Sequence, residues 1–169
     1  MSAENSSTDT YSIDRLSDAG DTREYITVTI GKQLFGMPID QVHDVFSVQQ
    51  MTSVPKAPKE IAGVLNLRGR IVTAVDMRRR LGLPDRDLDA APMAVGVDHK
   101  GESYGLIIDE VGEVLRLSAS TTEAPPANLD PNWAQICSGV QRLEGRLIVI
   151  LDLVRILSVD EAGKQKSAA

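Results

Sequence analysis

FGMPIDQVHDVF at residues 35–46 and YGLIIDEVGEVL at residues 104–115 are close to being the same phrase. Gly36, Ile39, Asp40, Val42 and Val45 of the first return as Gly105, Ile108, Asp109, Val111 and Val114 of the second. A second echo keeps the same order, with GVLNLRGRIVTAVDMRRRLG at 63–82 answered by GVQRLEGRLIVILDLVRILS at 139–158. A solenoid needs about three or more repeats to bury a continuous core. Two copies therefore point to a pair of similar lobes packed face to face.

Working outward, YITVTI alternates apolar and polar positions and reads as a strand with Ile26, Val28 and Ile30 on one face. Gly31 and Lys32 turn the chain into a second strand at Leu34 to Ile39. The spacing of Val42, Val45 and Phe46 also suits a helix, but Gly36 and Pro38 lie just upstream and the segment is short, so a third strand is expected. VPKAP at 54–58 is a loop, because two prolines remove two backbone donors. IAGVLNLRGRIVTAV then reads as two strands joined at Asn66 to Gly69, followed by a short helix MRRRL with Asp76 at its start and Gly82 at its end. The second half repeats the plan through MAVGVD, a turn at HKGES, YGLIIDEVGEVLRL, GVQRL, RLIVIL and DLVRIL, interrupted by the long loop SASTTEAPPANLDPNW. Many short strands with turn signals predict an all-β chain with short helices, built as small barrels or sandwiches.

The 169 residues fit one compact unit or two very small ones, and small units lean on their shared interface for stability. A formal charge of −6 and 4% aromatic residues argue against a nucleic-acid partner, which asks for a basic stripe and stacking rings. The single cysteine, Cys137, makes neither an internal disulfide nor a multi-cysteine metal site, and fits a reducing cytoplasm. No apolar run reaches the ~18 residues of a membrane span, and no secretory signal pattern opens the chain. Residues 1–23 and 159–169 are polar and poor in large apolar groups, and read as flexible tails. PDRDLDAAP at 84–92 marks the passage between a first lobe at about 24–83 and a second at about 93–158.

No catalytic constellation emerges. Aspartates contributed by two lobes suggest an aspartic protease, but Asp40 and Asp109 precede Gln41 and Glu110 rather than the Thr-Gly or Ser-Gly of such loops. The alternative is that these aspartates, with Asp76 and Asp152, satisfy turn and cap donors in both lobes. His43 and His99 have no partners at metal-ligand spacing and are expected at the surface. Cys137 reads as a small buried hydrophobe, and Arg78, Arg79 and Arg80 as the solvated face of a short helix. The matched turns NLRG and RLEG reverse a charge, Arg68 against Glu144, which suggests different partners for the two lobes.

GVLNLRGRIVTAVDMR, FGMPIDQVHDVF and IIDEVGEVL together resemble the CheW family of bacterial chemotaxis coupling proteins over about residues 24–158. The family pattern departs here at His43-Asp44-Val45, where glutamate is frequent, and at Thr73, where proline is. The resemblance implies two intertwined five-stranded SH3-like β-barrels, no catalysis, and no cofactor or metal. It implies a cytoplasmic adaptor, joined to membrane-bound receptor arrays through its partners and not inserted in the bilayer. Those partners are the chemoreceptor cytoplasmic tip and the regulatory domain of the histidine kinase CheA. Carried over by motif, the receptor-binding residues are Ile26, Ile39, Val42 and Val111, and the kinase-binding residues are Met51, Val54, Arg68 and Gly69. Two other classes remain open on the residues alone: a peptide-binding β-barrel module in another two-component pathway, and a two-lobed β hydrolase.

Overall fold

A computed structural model describes residues 22–87 and 91–158. The expected tails lie outside these residues, except that Thr22 and Arg23 already belong to the first strand.

Two five-stranded sheets carry the fold. The first contains β1 (Thr22–Ile30), β2 (Gln33–Pro38), β8 (Glu110–Ser118), β9 (Cys137–Leu143) and β10 (Arg146–Leu151), in the order β8-β1-β2-β10-β9. The second contains β3 (Val42–Ser47), β4 (Ile61–Leu67), β5 (Arg70–Asp76), β6 (Met93–His99) and β7 (Glu102–Ile108), in the order β3-β6-β7-β5-β4. Replacing each first-half strand by its second-half counterpart turns one order into the other. Each sheet joins the leading hairpin of one half to the last three strands of the other. Each sheet has two such joints: antiparallel β1 with β8 and parallel β2 with β10 in the first, antiparallel β3 with β6 and parallel β5 with β7 in the second.

The intertwined all-β architecture is thus as expected, but the contiguous stretches 24–83 and 93–158 do not each close a sheet. A strand satisfies its backbone groups with whichever neighbour lies beside it, and for β2 and β7 that neighbour belongs to the other half. The repeat extends to irregularities. The ladder slips between Ile61 and Gly63, and again at the equivalent pairs Ile150–Gly139 and Leu151–Cys137. Such bulges bend strands, which a small closed sheet requires.

The turns match as well. Arg68 and Gly69 have φ of 55° and 85°, and Glu144 and Gly145 have 51° and 77°. These are the left-handed pairs that a two-residue hairpin turn needs to follow strand twist. Asp76 accepts hydrogen bonds from the amides of Arg78 and Arg79 and so caps α1 (Met77–Arg80). Asp152 does the same for Val154 and Arg155 at the start of α3, residues 153–158. Helices this short persist only through packing, and Met77 and Leu81 are fully buried.

The largest core lies between the sheets, with Val28, Phe35 and Met37 from one meeting Val95, Leu106 and Ile108 from the other. Each such side chain contributes about 1.5–3 kcal/mol by leaving water. Two smaller cores sit inside the sheets, one around Leu65, Val72, Ala74 and Ile107, the other around Leu117, Ile148 and Ile150.

Candidate functional site

At the outer end of the second sheet, the β4–β5 turn carries Arg68 and Gly69 into solvent. The connector from β3 to β4 folds back along β4, where Thr52 exchanges backbone hydrogen bonds of 2.8 Å in both directions with Val64. This contact fits only over glycine, because a Cβ on Gly63 would stand 2.4 Å from the Thr52 carbonyl oxygen. Met51 and Val54 are thereby held beside the hairpin, each 40% exposed. All four residues expected at a kinase surface therefore lie on or alongside the β4–β5 hairpin at the edge of one sheet. Ile71 of β5, 65% exposed, adds a further apolar group to this hairpin and was not singled out from the sequence.

The equivalent face of the first sheet is closed. Residues 119–136 cross it, pairing at Glu123–Val140, and α2 (Pro131–Ala134) brings Trp133 down onto Phe35 with ring centroids 5.3 Å apart. Trp133 Nε1 donates to the Leu81 carbonyl at 3.0 Å. Val140 and Val149 are buried there, whereas their counterparts Val64 and Thr73 are half-buried. Leu147, the counterpart of Ile71, packs on the main core.

The four residues expected at a receptor groove are placed differently. Ile26 is buried in the main core and Ile39 is half-buried in the turn after β2. Val42 and Val111 open the edge strands β3 and β8, each half-buried against that core. Three concavities of the described residues are lined by none of these four. A hollow of about 320 Å³ does adjoin them, between Asp40, Gln41 and His43 on one side and Leu153, Val154 and Leu157 on the other.

An ionic cluster ties the sheets together where the sequence suggested a solvated helix face. Arg78 meets Asp109 through two hydrogen bonds, Nε to Oδ1 at 3.0 Å and Nη2 to Oδ2 at 2.7 Å. The two side chains are only 19% and 18% exposed. Arg86 reaches Asp109 at 3.2 Å and Asp76 at 3.5 Å, and the Gly31 amide donates to Asp109 at 2.7 Å. Burial pushes the Asp109 carboxyl up, but hydrogen bonds from Arg78 and Gly31 and the arginine charge outweigh it and hold the group below its ordinary range. Arg80, partly buried, is lowered by desolvation. Only Arg79 of the three arginines keeps the expected partly solvated setting, at 40% exposure beside Asp85.

Asp109 therefore has its own cations and Asp40 has Arg23 at 3.3 Å, so these carboxylates do not share a proton as a protease dyad does. Their turn and cap roles are as read for Asp76, Asp152 and Asp109. His43 is exposed and 3.0 Å from Asp98, while His99 is half-buried against Tyr104. Cys137 is buried, and its thiol is pushed up by that burial. Among the described residues, no helix is long and apolar enough to cross a membrane.

A duplicated β-barrel body, with one sheet edge overlain by a long helix-bearing loop and the equivalent edge by a short connector that leaves Met51, Val54 and Ile71 exposed, is the build of a protein that binds other proteins. Comparison with known families agrees: the model of the CheW-like domain matches residues 24–161, and the chain belongs to that family of chemotaxis scaffold proteins. The chemotaxis protein CheW of Thermotoga maritima is 28% identical over 142 residues, covering 84% of this chain and 92% of the relative. That of Treponema pallidum is 26% identical over 145 residues, covering 83% and 85%. The crystal structure of the scaffolding protein TtCheW from Thermoanaerobacter tengcongensis superposes with a TM-score of 0.69 at 28% identity, over 78% of this chain and 84% of that one.

Proposed function

We propose that this chain is a non-catalytic cytoplasmic adaptor, joining a chemoreceptor's cytoplasmic tip to the regulatory domain of the histidine kinase CheA without cofactor, metal or membrane segment of its own. The observation that carries the reading is the exposed apolar surface at the β4–β5 edge of the second sheet. Met51, Val54 and Ile71 stand exposed there on or alongside the hairpin that carries Arg68 and Gly69, whereas in the repeat's other copy Leu147, the counterpart of Ile71, is half-buried against the main core. Exposed apolar surface rimmed by polar groups marks an interaction site. The kinase domain supplies the missing cover.

The receptor occupies the region of Ile39, Val42 and Val111, with Ile26 shaping it from beneath as a buried positioning residue. Helical segments dock through spaced apolar anchors, and half-buried valines on two edge strands suit that mode. Two separate faces on one body hold both partners together, so the second encounter becomes intramolecular and gains effective concentration.

The test is titration calorimetry of Arg68→Glu and Ile71→Glu with the CheA regulatory domain and, separately, with a receptor cytoplasmic fragment. Each variant is expected to weaken kinase binding about tenfold or more, the cost of ~1.4 kcal/mol at an interface centre. Receptor affinity and unfolding temperature should stay unchanged. Wild-type kinase affinity in both variants refutes the assignment of this face.

A further inference from the structure

The internal repeat pairs side chains as well as strands, and it breaks at one buried contact. Arg78 stands two residues after the capping Asp76, and Asp109 follows Ile108 at the end of β7; together they form the bidentate pair described above. The repeat places Val154 and Asp40 at the same two positions. Val154 follows the capping Asp152 by two residues, and its amide meets that carboxylate at 3.1 Å, as the Arg78 amide meets Asp76 at 2.9 Å. Asp40 follows Ile39 just past β2. Scaffold, cap and carboxylate are all present, and the arginine is replaced by valine.

The hollow of about 320 Å³ opens at that place. Its floor offers Leu157 and Val154, the latter 57% exposed, an unusual setting for an apolar side chain. Its rim carries Asp40, 70% exposed, and Asp98, 41% exposed. Arg23 reaches Asp40 at 3.3 Å from β1, with both side chains largely in water, where such a pair contributes little. Asp98 is met by His43 at 3.0 Å from β3, by Arg70 at 3.5 Å from β5, and by the Ser103 hydroxyl at 3.1 Å.

We propose that this hollow receives an arginine from a helix of the protein partner, its guanidinium on Asp40 and the adjoining apolar surface on Val154. The inference rests on the adaptor reading and commits to the receptor tip as that partner, since residues 40–43 continue directly from Ile39 and contain Val42. The partner's arginine takes the place that Arg78 fills on the other side of the molecule. Arginine is selected over lysine because a planar fork matches a carboxylate with two parallel hydrogen bonds.

The test restores the missing residue from within. In Val154→Arg the new guanidinium reaches Asp40 internally and fills the hollow. Calorimetry against a receptor cytoplasmic hairpin fragment should show affinity reduced about tenfold or more, the value of a charge-assisted contact. Affinity for the CheA regulatory domain should be unchanged and the unfolding temperature no lower. Asp40→Asn should weaken receptor binding in the same direction and flatten its salt dependence, and it reads the contact independently should Val154→Arg disturb the helix. Wild-type receptor affinity in both variants, while Val42→Asp abolishes binding, overturns this inference and leaves the adaptor reading standing. Receptor affinity unaffected by all three substitutions overturns both.

Discussion

Asp109→Asn is the sharpest probe of what holds the two sheets in register. The substitution keeps the shape of the side chain and removes the one charge shared by Arg78, Arg86 and the Gly31 amide. Breaking a buried pair from one side costs about 3–5 kcal/mol, because the remaining charge stays desolvated without compensation. Arg78 and Arg86 are 19% and 14% exposed, so part of that charge can turn to water. The amide oxygen of asparagine also still accepts from Gly31, and a loss of about 2–4 kcal/mol is expected. Unfolding temperature should fall by roughly 6–15 °C for a domain of this size. The pH dependence follows from the direction of the shift. A carboxyl held below its unfolded value contributes stability that is fully present above the unfolded value near 4 and is lost as pH falls through the folded one. Urea unfolding from pH 7 down to pH 3 should therefore show the gap between wild type and Asp109→Asn narrowing below about pH 4. A gap under about 0.5 kcal/mol at pH 7, the ordinary range of a surface change, refutes the view that this cluster joins the sheets.

Trp133→Ala removes the ring from Phe35 and the hydrogen bond to Leu81, and should cost about 2–3 kcal/mol in urea unfolding; an unchanged midpoint would show the long loop to be merely draped. Cys137 should resist thiol reagents in the folded protein, since burial both hides it and pushes its thiol up. Labelling faster than global unfolding would contradict that burial. Polypeptides 22–87 and 91–158 should each lack β-sheet dichroism alone and regain it when mixed, because neither half closes a sheet by itself. Native-like dichroism of either piece alone would refute the intertwined arrangement.

Local features of this chain are legible in its sequence. The strand alternation, the glycine turns after Arg68 and Glu144 and the caps at Asp76 and Asp152 depend on neighbours a few residues away, and all appear where expected. Partner choice is not legible in that way. Nothing in the period of β2 says that Phe35 lies beside Val149, a contact across more than half the chain. Arg78 was misread for the same reason. A run of three arginines on a short helix looks solvated, and Asp109 reaches it only because β5 and β7 pair in parallel, bringing Asp76 opposite Ile107. The sequence nonetheless carries the signal: the repeat matches Arg78 with Val154, and a charge present in only one copy marks a place where the copies differ in environment. The residues proposed for kinase and receptor were reachable only through family resemblance, since exposure at Met51 and Val54 comes from the Thr52 contact, which no periodicity encodes.

The three departures from the repeat carry more functional weight than its many matches. Arg68 against Glu144 changes the charge of a hairpin tip; Ile71 against Leu147 exposes in one sheet what packs on the core in the other; Val154 against Arg78 leaves Asp40 with the solvent-exposed Arg23 as its arginine partner. None of the three disturbs the pairing of strands, so each could change without loss of fold. The intertwined topology makes this possible in a specific way. Moving one half of the chain against the other would shear the pairings β1–β8, β2–β10, β3–β6 and β5–β7 and expose the shared core of Phe35 and Leu106. Such motion is costly in a close-packed interior. In the proposed adaptor role, a body this stiff transmits receptor changes to the kinase by holding their relative position, and an Asp109→Asn protein that still binds each partner should couple them less well.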